Sequence, residues 1–407
     1  MTVLKEIKNL WHDIKTSNLL SMYQEIEYFQ NIDVNIYVND IHGWPKFIKE
    51  SLGLMGFQIT NGTIKSFSYY SSLYDYIIIL HHLKKVILKH GLQDMNFFLL
   101  REDEVFSDYN IVINQLLRFP FFRMSKNMTL KSLDRKMLLL PDGYILDPFR
   151  SLYIINELLK DIDFEIKIEK VIFRGLTTGS QCLFDSKLEQ SKHCSRLKLI
   201  TESYRCNDKI EAQFSASYVR IGYNLNNDMC CNNKYIYEHF KYKYIISQDG
   251  HTSAWMRVPW IIQSNSLLLK EEDNTIQWFY YMLKPYYNYI PFYEVINICA
   301  FVEYINYINI ENIKEIVKNS QYLVHESFSE TSMLEYTAFI LNSYSTINKL
   351  NNDFVLDAEQ YQLLYQSGLN EILLYFAVPF TGYFLDGVEQ VKVDNLLAEI
   401  IIKGWFE

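Results

Sequence analysis

The stretch YKYIISQDGHTSAWMRVPW, residues 242–260, sets Arg257 seven positions beyond Gly250, across a loop that carries His251, Thr252, Ser253 and Ala254. An apolar run precedes this loop and a helical pattern follows it, so its backbone N–H groups and the helix start form an anion site. A guanidinium about one turn in adds a fork of donors that matches a phosphate. The plain alternative is an arginine on a solvated helix face, and one such loop does not displace it. A second loop changes the balance. IFRGLTTGS ends another apolar run with Arg174, Gly175 and the hydroxyls of Thr177 and Thr178, and Arg196 follows in HCSRLKL. Two strand-end loops with arginine, glycine and small hydroxyls suit a diphosphate that no metal neutralises. No Asp-x-Asp follows an apolar strand, so neither a metal site nor a cofactor is expected. His81 and His82 are adjacent on a helical pattern and point apart, which argues against joint ligation.

The elements that must position these residues alternate. Apolar positions Leu4, Ile7, Leu10, Trp11 and Ile14 predict lead-in helices within residues 1–30, and 66–90 reads as a helix with a basic end. MNFFLLREDEVF (95–106) is a strand opening into a charged loop, and KMLLLPDGYIL breaks at Pro141-Asp142-Gly143. SLYIINELLKDI reads as a helix and KIEKVIFRG as a strand. YKYIIS is a strand, Ser253 to Gln263 a helix and SLLLK (266–270) the next strand, which is one βαβ unit. TIQWFYYML, PFYEVINICAFVEYI and IENIKEIVKNSQYLVHESF read as helices, with helix again from 331 to 348. Alternation predicts an α/β fold with a mostly parallel sheet and ligands at the carboxyl ends of its strands.

The 407 residues suit two domains, with a boundary near 160–170. The net charge of −9, with no basic run, makes nucleic acid an improbable partner. Cys182, Cys194, Cys206, Cys230, Cys231 and Cys299 form no CxxC pair, which predicts reduced thiols and a reducing compartment. The amphipathic N-terminus lacks an apolar signal region and no stretch reaches membrane-spanning length. The expectation is a cytoplasmic protein, with peripheral contact at an inner membrane as an option.

The ordered blocks FRG, Arg196-Leu197, KYKY with the glycine loop and SAWMR, SNSLLLK, and QWFYYMLKPYYNYIP together resemble glycosyltransferase family 90 from about Phe173 to Pro291, continuing weakly to about 348. That family includes animal protein O-glucosyltransferases and O-xylosyltransferases and bacterial enzymes acting on lipopolysaccharide. The resemblance implies a GT-B fold with an N-terminal Rossmann-like acceptor lobe (1–165) and a nucleotide-sugar lobe (166–330); of the helical C-terminal segment (331–407), the tail 349–407 lies outside the resemblance and is expected to complete the N-terminal lobe, form a helical cap, or face a membrane or partner. It implies inversion and a UDP-sugar donor, glucose first. Carried onto this sequence, Arg174, Gly175 and Thr177 lie near the donor, and Arg196 touches the diphosphate. Gly250, His251, Thr252, Ser253, Ala254 and Arg257 surround the phosphates and nucleoside, in a loop one residue longer than in the animal enzymes. LLREDE supplies the base, Asp103 first, with Glu102 and Glu104 as competitors, because inversion needs a carboxylate at the acceptor hydroxyl. Asp142 and Tyr144 are expected to face the sugar. The loop HTSAWMRVPW looks closer to the lipopolysaccharide-modifying members, which makes a glycolipid the favoured acceptor, with a protein Ser or Thr hydroxyl and a non-catalytic UDP-sugar binder as alternatives.

Overall fold

The computed structural model describes residues 53–68, 73–101, 121–127, 137–176, 195–215, 234–250, 253–272, 275–293 and 297–345. By contact the chain divides into two units.

The smaller unit opens with a hairpin. Strands β1 (Leu54–Thr60) and β2 (Thr63–Ser68) pair antiparallel about Asn61-Gly62, whose φ values of 51° and 72° are those of a tight hairpin turn. Helix α1 (Leu73–His90) follows, with Asp75 in its first turn and Lys89 and His90 in its last. It stops at Gly91, whose φ of 65° suits a residue without Cβ and whose N–H bonds to the Ile87 carbonyl. The expected helix over 66–90 is therefore corrected: residues 66–68 belong to β2, and Asn61-Gly62 was the signal for it. Strand β3 (Met95–Leu100) pairs antiparallel with β1 and parallel with β4 (Phe122–Arg123), giving the order β2-β1-β3-β4. This sheet mixes directions where a mostly parallel one was expected.

The helix Glu330–Ser345 returns to cover this unit. Tyr344 packs edge-on against Phe122 at 5.1 Å and donates its hydroxyl to the Asn96 carbonyl, while Thr337 bonds His82 Nε2 at 2.9 Å. Phe57 and Phe97 stack at 5.0 Å beneath it. At the end of β3, buried Arg101 bonds the carboxylate of Asp75 at 3.0 Å.

The larger unit holds the described residues from 124 to 333, so the boundary expected near 165 falls inside it. It begins with β5 (Ser125–Asn127), β6 (Leu138–Leu139), α2 (Gly143–Leu146) and α3 (Pro148–Leu158). The central run is β7 (Ile168–Gly175), α4 (Ser195–Ser203), β8 (Ile210–Phe214), α5 (Ile236–His239), β9 (Tyr242–Ser247), α6 (Arg257–Gln263) and β10 (Leu267–Glu271). Strands β11 (Thr275–Gln277) and β12 (Ile290–Phe292) and helices α7 (Ile298–Asn306) and α8 (Ile310–Ser327) complete it. The expected helices over TIQWFYYML and the start of PFYEVINIC are corrected. Thr275–Gln277 instead pairs antiparallel with β5, and Ile290–Phe292 extends the sheet beside β10, partners distant enough in sequence that local pattern does not show them.

Five strands form a parallel sheet in the order β12-β10-β9-β7-β8. Chain order runs outward in both directions from β7 and β9, so the sequence of strands reverses between these two. Val171, Phe173, Tyr244, Ile246, Leu267 and Leu269 face a core completed by Ile200 of α4, Phe301 of α7 and Val317 of α8. Alternate residues Ile172, Ile245 and Leu268 are equally buried, and α6 packs against β9 and β10 with residues outside that core. Burial on both faces is why these strands read as continuous apolar runs.

Cys206, just past α4, is joined to Cys299 in the first turn of α7 by a disulfide with Cα atoms 5.8 Å apart. This corrects the expectation of unpaired thiols: the pair lies 93 residues apart in sequence, and folding brings it together. Cys182, Cys194, Cys230 and Cys231 lie outside the described residues. No helix among the described residues is long and apolar enough to cross a membrane.

Candidate functional site

In an open parallel sheet the crevice for ligands opens at the carboxyl ends of the strands, where strand order reverses. Here that point lies between β7, which ends in Arg174-Gly175, and β9, which ends before Gln248-Asp249-Gly250. The two loops singled out by their arginines and glycines thus meet at one place.

Three arginines gather there, and their partners divide them. Arg174 turns its guanidinium back along β7, bonding the Phe173 and Glu211 carbonyls and forming an ion pair with the Glu211 carboxylate. Burial opposes ionisation of Glu211, but hydrogen bonds from Lys234 and Tyr242 and the charges of Arg174 and Lys234 outweigh it and hold the carboxyl down at about 2. The charge of Arg174 is therefore matched inside the protein. Arg196, in the first turn of α4, donates Nη1 to the Leu176 carbonyl at 2.9 Å, Nη2 to the Gln248 carbonyl at 2.8 Å and Nε to the Asp249 carbonyl at 3.1 Å. It straps the β7 loop to the β9 loop. Burial lowers its pKa to about 10 against the opposing pull of Asp249 and Glu271.

Arg257 differs. It begins α6 with its guanidinium carbon 5.4 Å from the centre of the Phe173 ring, and among the described residues nothing accepts a hydrogen bond from it. Its Nη1 is sealed from solvent and unpartnered, although the residue as a whole is partly exposed. Burial first, then repulsion from Arg196, brings its pKa down to about 9, with Asp249 opposing. An anion placed here would restore what desolvation has taken away.

The loop that carries Arg257 is fixed from below. Asp249 accepts from the Ala254 N–H at 2.8 Å, and its own N–H reaches Glu271 at the end of β10. Gln277 of β11, fully buried, donates Nε2 to Ser253 Oγ at 2.6 Å and to the Trp255 carbonyl at 3.3 Å. Trp255 is held at φ 46°, a left-handed conformation uncommon for a bulky residue and one that recurs at functional loops. Gly175 is required by closeness: a Cβ there would lie 2.8 Å from Phe173 Cζ, the ring beneath Arg257, and 3.5 Å from Arg196 Nη1.

The remaining expected residues distribute unevenly. Asp142 does not present itself as a sugar ligand alone, because one carboxylate oxygen caps α2 by accepting from the Ile145 N–H at 3.0 Å. Tyr144, half-buried, packs 5.7 Å from Trp255 and lies 3.8 Å beneath the Arg150 guanidinium, which brings α2 against the glycine loop. Gly250, Ser253 and Ala254 sit in that loop as expected. Thr177, His251, Thr252 and the carboxylates Glu102, Asp103 and Glu104 lie outside the described residues. Sequence reasoning missed Trp255, Gln277 and Glu271. Trp255 and Gln277 stood inside the motif blocks SAWMR and QWFYYMLKPYYNYIP, but Gln277 and Glu271 gain their roles only through sheet pairing.

Residues 188–362 match the family model described as Glycosyl transferase family 90. That segment is similar to family 90 glycosyltransferases. Protein O-glucosyltransferase 3 of Mus musculus is 40% identical over 55 residues, covering 14% of this chain and 11% of that protein. Protein O-glucosyltransferase 3 of Homo sapiens is 28% identical over 111 residues, 27% of this chain and 21% of that protein. Protein O-glucosyltransferase 2 of Danio rerio is 38% identical over 56 residues, again 14% and 11%. The matched part spans only about a tenth to a fifth of those relatives' lengths. The matched residues include Arg196, Gly250, Ser253, Ala254 and Arg257. Arg174, Gly175, Asp142, Tyr144 and the REDE carboxylates precede them.

Proposed function

We propose that this protein is an inverting, metal-independent glycosyltransferase that moves a sugar, glucose first, from a UDP-sugar to an acceptor hydroxyl. The observation that carries the reading is the Arg257 guanidinium, sealed on one nitrogen, in no ion pair among the described residues and set at the point where strand order reverses. A diphosphate there gains charge-assisted bonds without displacing an existing ion pair. As the bond to the anomeric carbon breaks, negative charge accumulates on the departing UDP, and fixed positive groups stabilise that change more than the ground state. Arg196 contributes by holding the two loops in register, and Arg174 contributes through Glu211 rather than by direct contact. A carboxylate takes the acceptor proton as the oxygen attacks, and Asp103 is the proposed base, with Glu102 and Glu104 next.

The names of the matched relatives make a Ser or Thr hydroxyl on a folded protein the first acceptor to test, ahead of the glycolipid. The Cys206–Cys299 disulfide supports the same shift, because such pairs persist in oxidising compartments rather than in a reducing cytoplasm. The test is UDP release from a panel of UDP-sugars, with and without EDTA, using folded Ser/Thr-bearing domains and glycolipid extracts as separate acceptors. Release from one sugar that survives EDTA and falls in Asp103→Asn supports the reading. UDP binding without release in either acceptor arm assigns the protein to the non-catalytic class.

A further inference from the structure

Beyond β12, the outer strand of the parallel sheet, a cavity of about 300 Å³ is lined by Tyr286, Tyr287, Tyr304, Asn312, Glu315 and Asn319. Tyrosine is the chief aromatic here and two of the rings are largely open to solvent, Tyr286 at 57% and Tyr304 at 47% exposure. Burying an aromatic is the ordinary way to use one, so adjoining exposed rings need a reason. Tyr286 adds another: its φ is 61°, a left-handed backbone held by its N–H bonding the Tyr289 carbonyl at 2.7 Å. A bulky residue in that conformation is strained, and such strain persists where it aims a side chain. Partial burial first, then the charges of Tyr304 and Tyr293, raises the Tyr286 phenol.

The polar lining defines the ligand. Asn319 already donates to the Tyr287 carbonyl at 3.1 Å, which leaves its amide oxygen as an acceptor. Asn312 supplies both a donor and an acceptor, and Glu315 supplies acceptors and negative charge. Among the described residues no lysine or arginine lines the cavity, so a phosphate or carboxylate meets no cation there and is repelled by Glu315. A neutral pyranose fits: its C–H face stacks on an aromatic plane and its hydroxyls both donate and accept. The size is at the lower end of small-molecule sites, enough for one or two sugar rings.

We propose that this cavity is a second saccharide-binding site, separate from the nucleotide-sugar loops, that holds a neutral glycan on the larger unit. β10 stands between β12 and β9 in the sheet, and β7 lies one strand further, so the cavity and the arginine loops share no residue. The proposal stands whether or not the donor assignment does. The test is ligand-observed saturation-transfer NMR on the full chain with methyl β-glucopyranoside and with a neutral glucose trisaccharide, each with and without saturating UDP. The expected result is transfer to the sugar ring protons that UDP does not abolish, and binding at least fivefold weaker in both Tyr304→Ala and Tyr286→Gly. Glycine accepts the backbone of Tyr286 without strain, so the second variant remains folded if the first does not. Absence of transfer from both saccharides, transfer abolished by UDP, or unchanged binding in Tyr286→Gly would overturn the proposal.

Discussion

The two units each place an arginine at the carboxyl end of a buried strand or at the start of the helix that follows one, and they treat it in opposite ways. In the smaller unit Arg101 leaves β3 and is met at 3.0 Å by Asp75 of α1, so its charge is neutralised by the fold. In the larger unit Arg257 starts α6 with no ion pair among the described residues and one nitrogen sealed away unpaired. A buried charge without a partner costs stability, and proteins tolerate that cost where a ligand supplies the partner. The first arginine is part of how the protein folds, and the second is the proposed contact to a ligand.

This contrast can be broken most sharply by exchanging each arginine for alanine. Arg101→Ala leaves Asp75 buried without its cation, so a loss of about 3–5 kcal/mol is expected in denaturant unfolding, with UDP affinity of the folded fraction unchanged. Arg257→Ala should do the reverse: thermal stability held or raised, and UDP binding by calorimetry weakened by about 1.5–3 kcal/mol, the scale of a charge-assisted bond. Equal losses of stability in both variants would erase the distinction.

Cys299→Ser tests what holds the larger unit alone. A loss of about 2–4 kcal/mol is expected, together with a mobility difference between reduced and unreduced wild-type protein on denaturing gels. Gly175→Ala is subtler. The added Cβ pushes on the Phe173 ring that underlies Arg257, so UDP affinity should fall several-fold while the far-ultraviolet circular dichroism stays unchanged.

The smallest effects are in acid titration. Burial, then Lys85 and His81, lowers His82 from 6.5 to about 3 in the smaller unit. Burial, opposed by a bond to the Tyr235 carbonyl but aided by Arg257, Arg174 and Lys234, lowers His239 to about 3 in the larger one. Both take up a proton more readily unfolded than folded, so each contributes stability that is full above 6.5 and is lost as pH falls from there toward 3. Replacing either histidine by Gln should flatten the stability profile in that window. Arg257→Ala should move the His239 titration upward by NMR and leave His82 where it is.

Much of the larger unit was legible because parallel strands buried on both faces leave unbroken apolar runs, and KIEKVIFRG, YKYIIS and SLLLK each became strands within a residue or two. The hairpin at Asn61-Gly62 was equally legible in principle, and its last residues 66–68 were read as the start of the following helix because the apolar run beyond them dominates the window. TIQWFYYML failed for a different reason: an aromatic run of that length carries no period that separates helix from a three-residue strand, and its partner β5 lies about 150 residues away. For the site, the residue types and their loops came from the sequence, but their division of labour did not. Nothing local distinguishes Arg174, which is bound to Glu211, from Arg257, whose guanidinium makes no hydrogen bond among the described residues.

The order of residues alone determined that two glycine loops with arginines would end apolar strands, because strand, loop and helix are set by short-range pattern and backbone chemistry. Only tertiary structure decided that those loops lie on either side of the strand-order reversal, that Arg196 ties them together, that Cys206 meets Cys299 and that one nitrogen of Arg257 is sealed without a partner. Each of these depends on which strands are neighbours in the sheet, and that is fixed by burial summed over the whole core rather than by any segment of the chain.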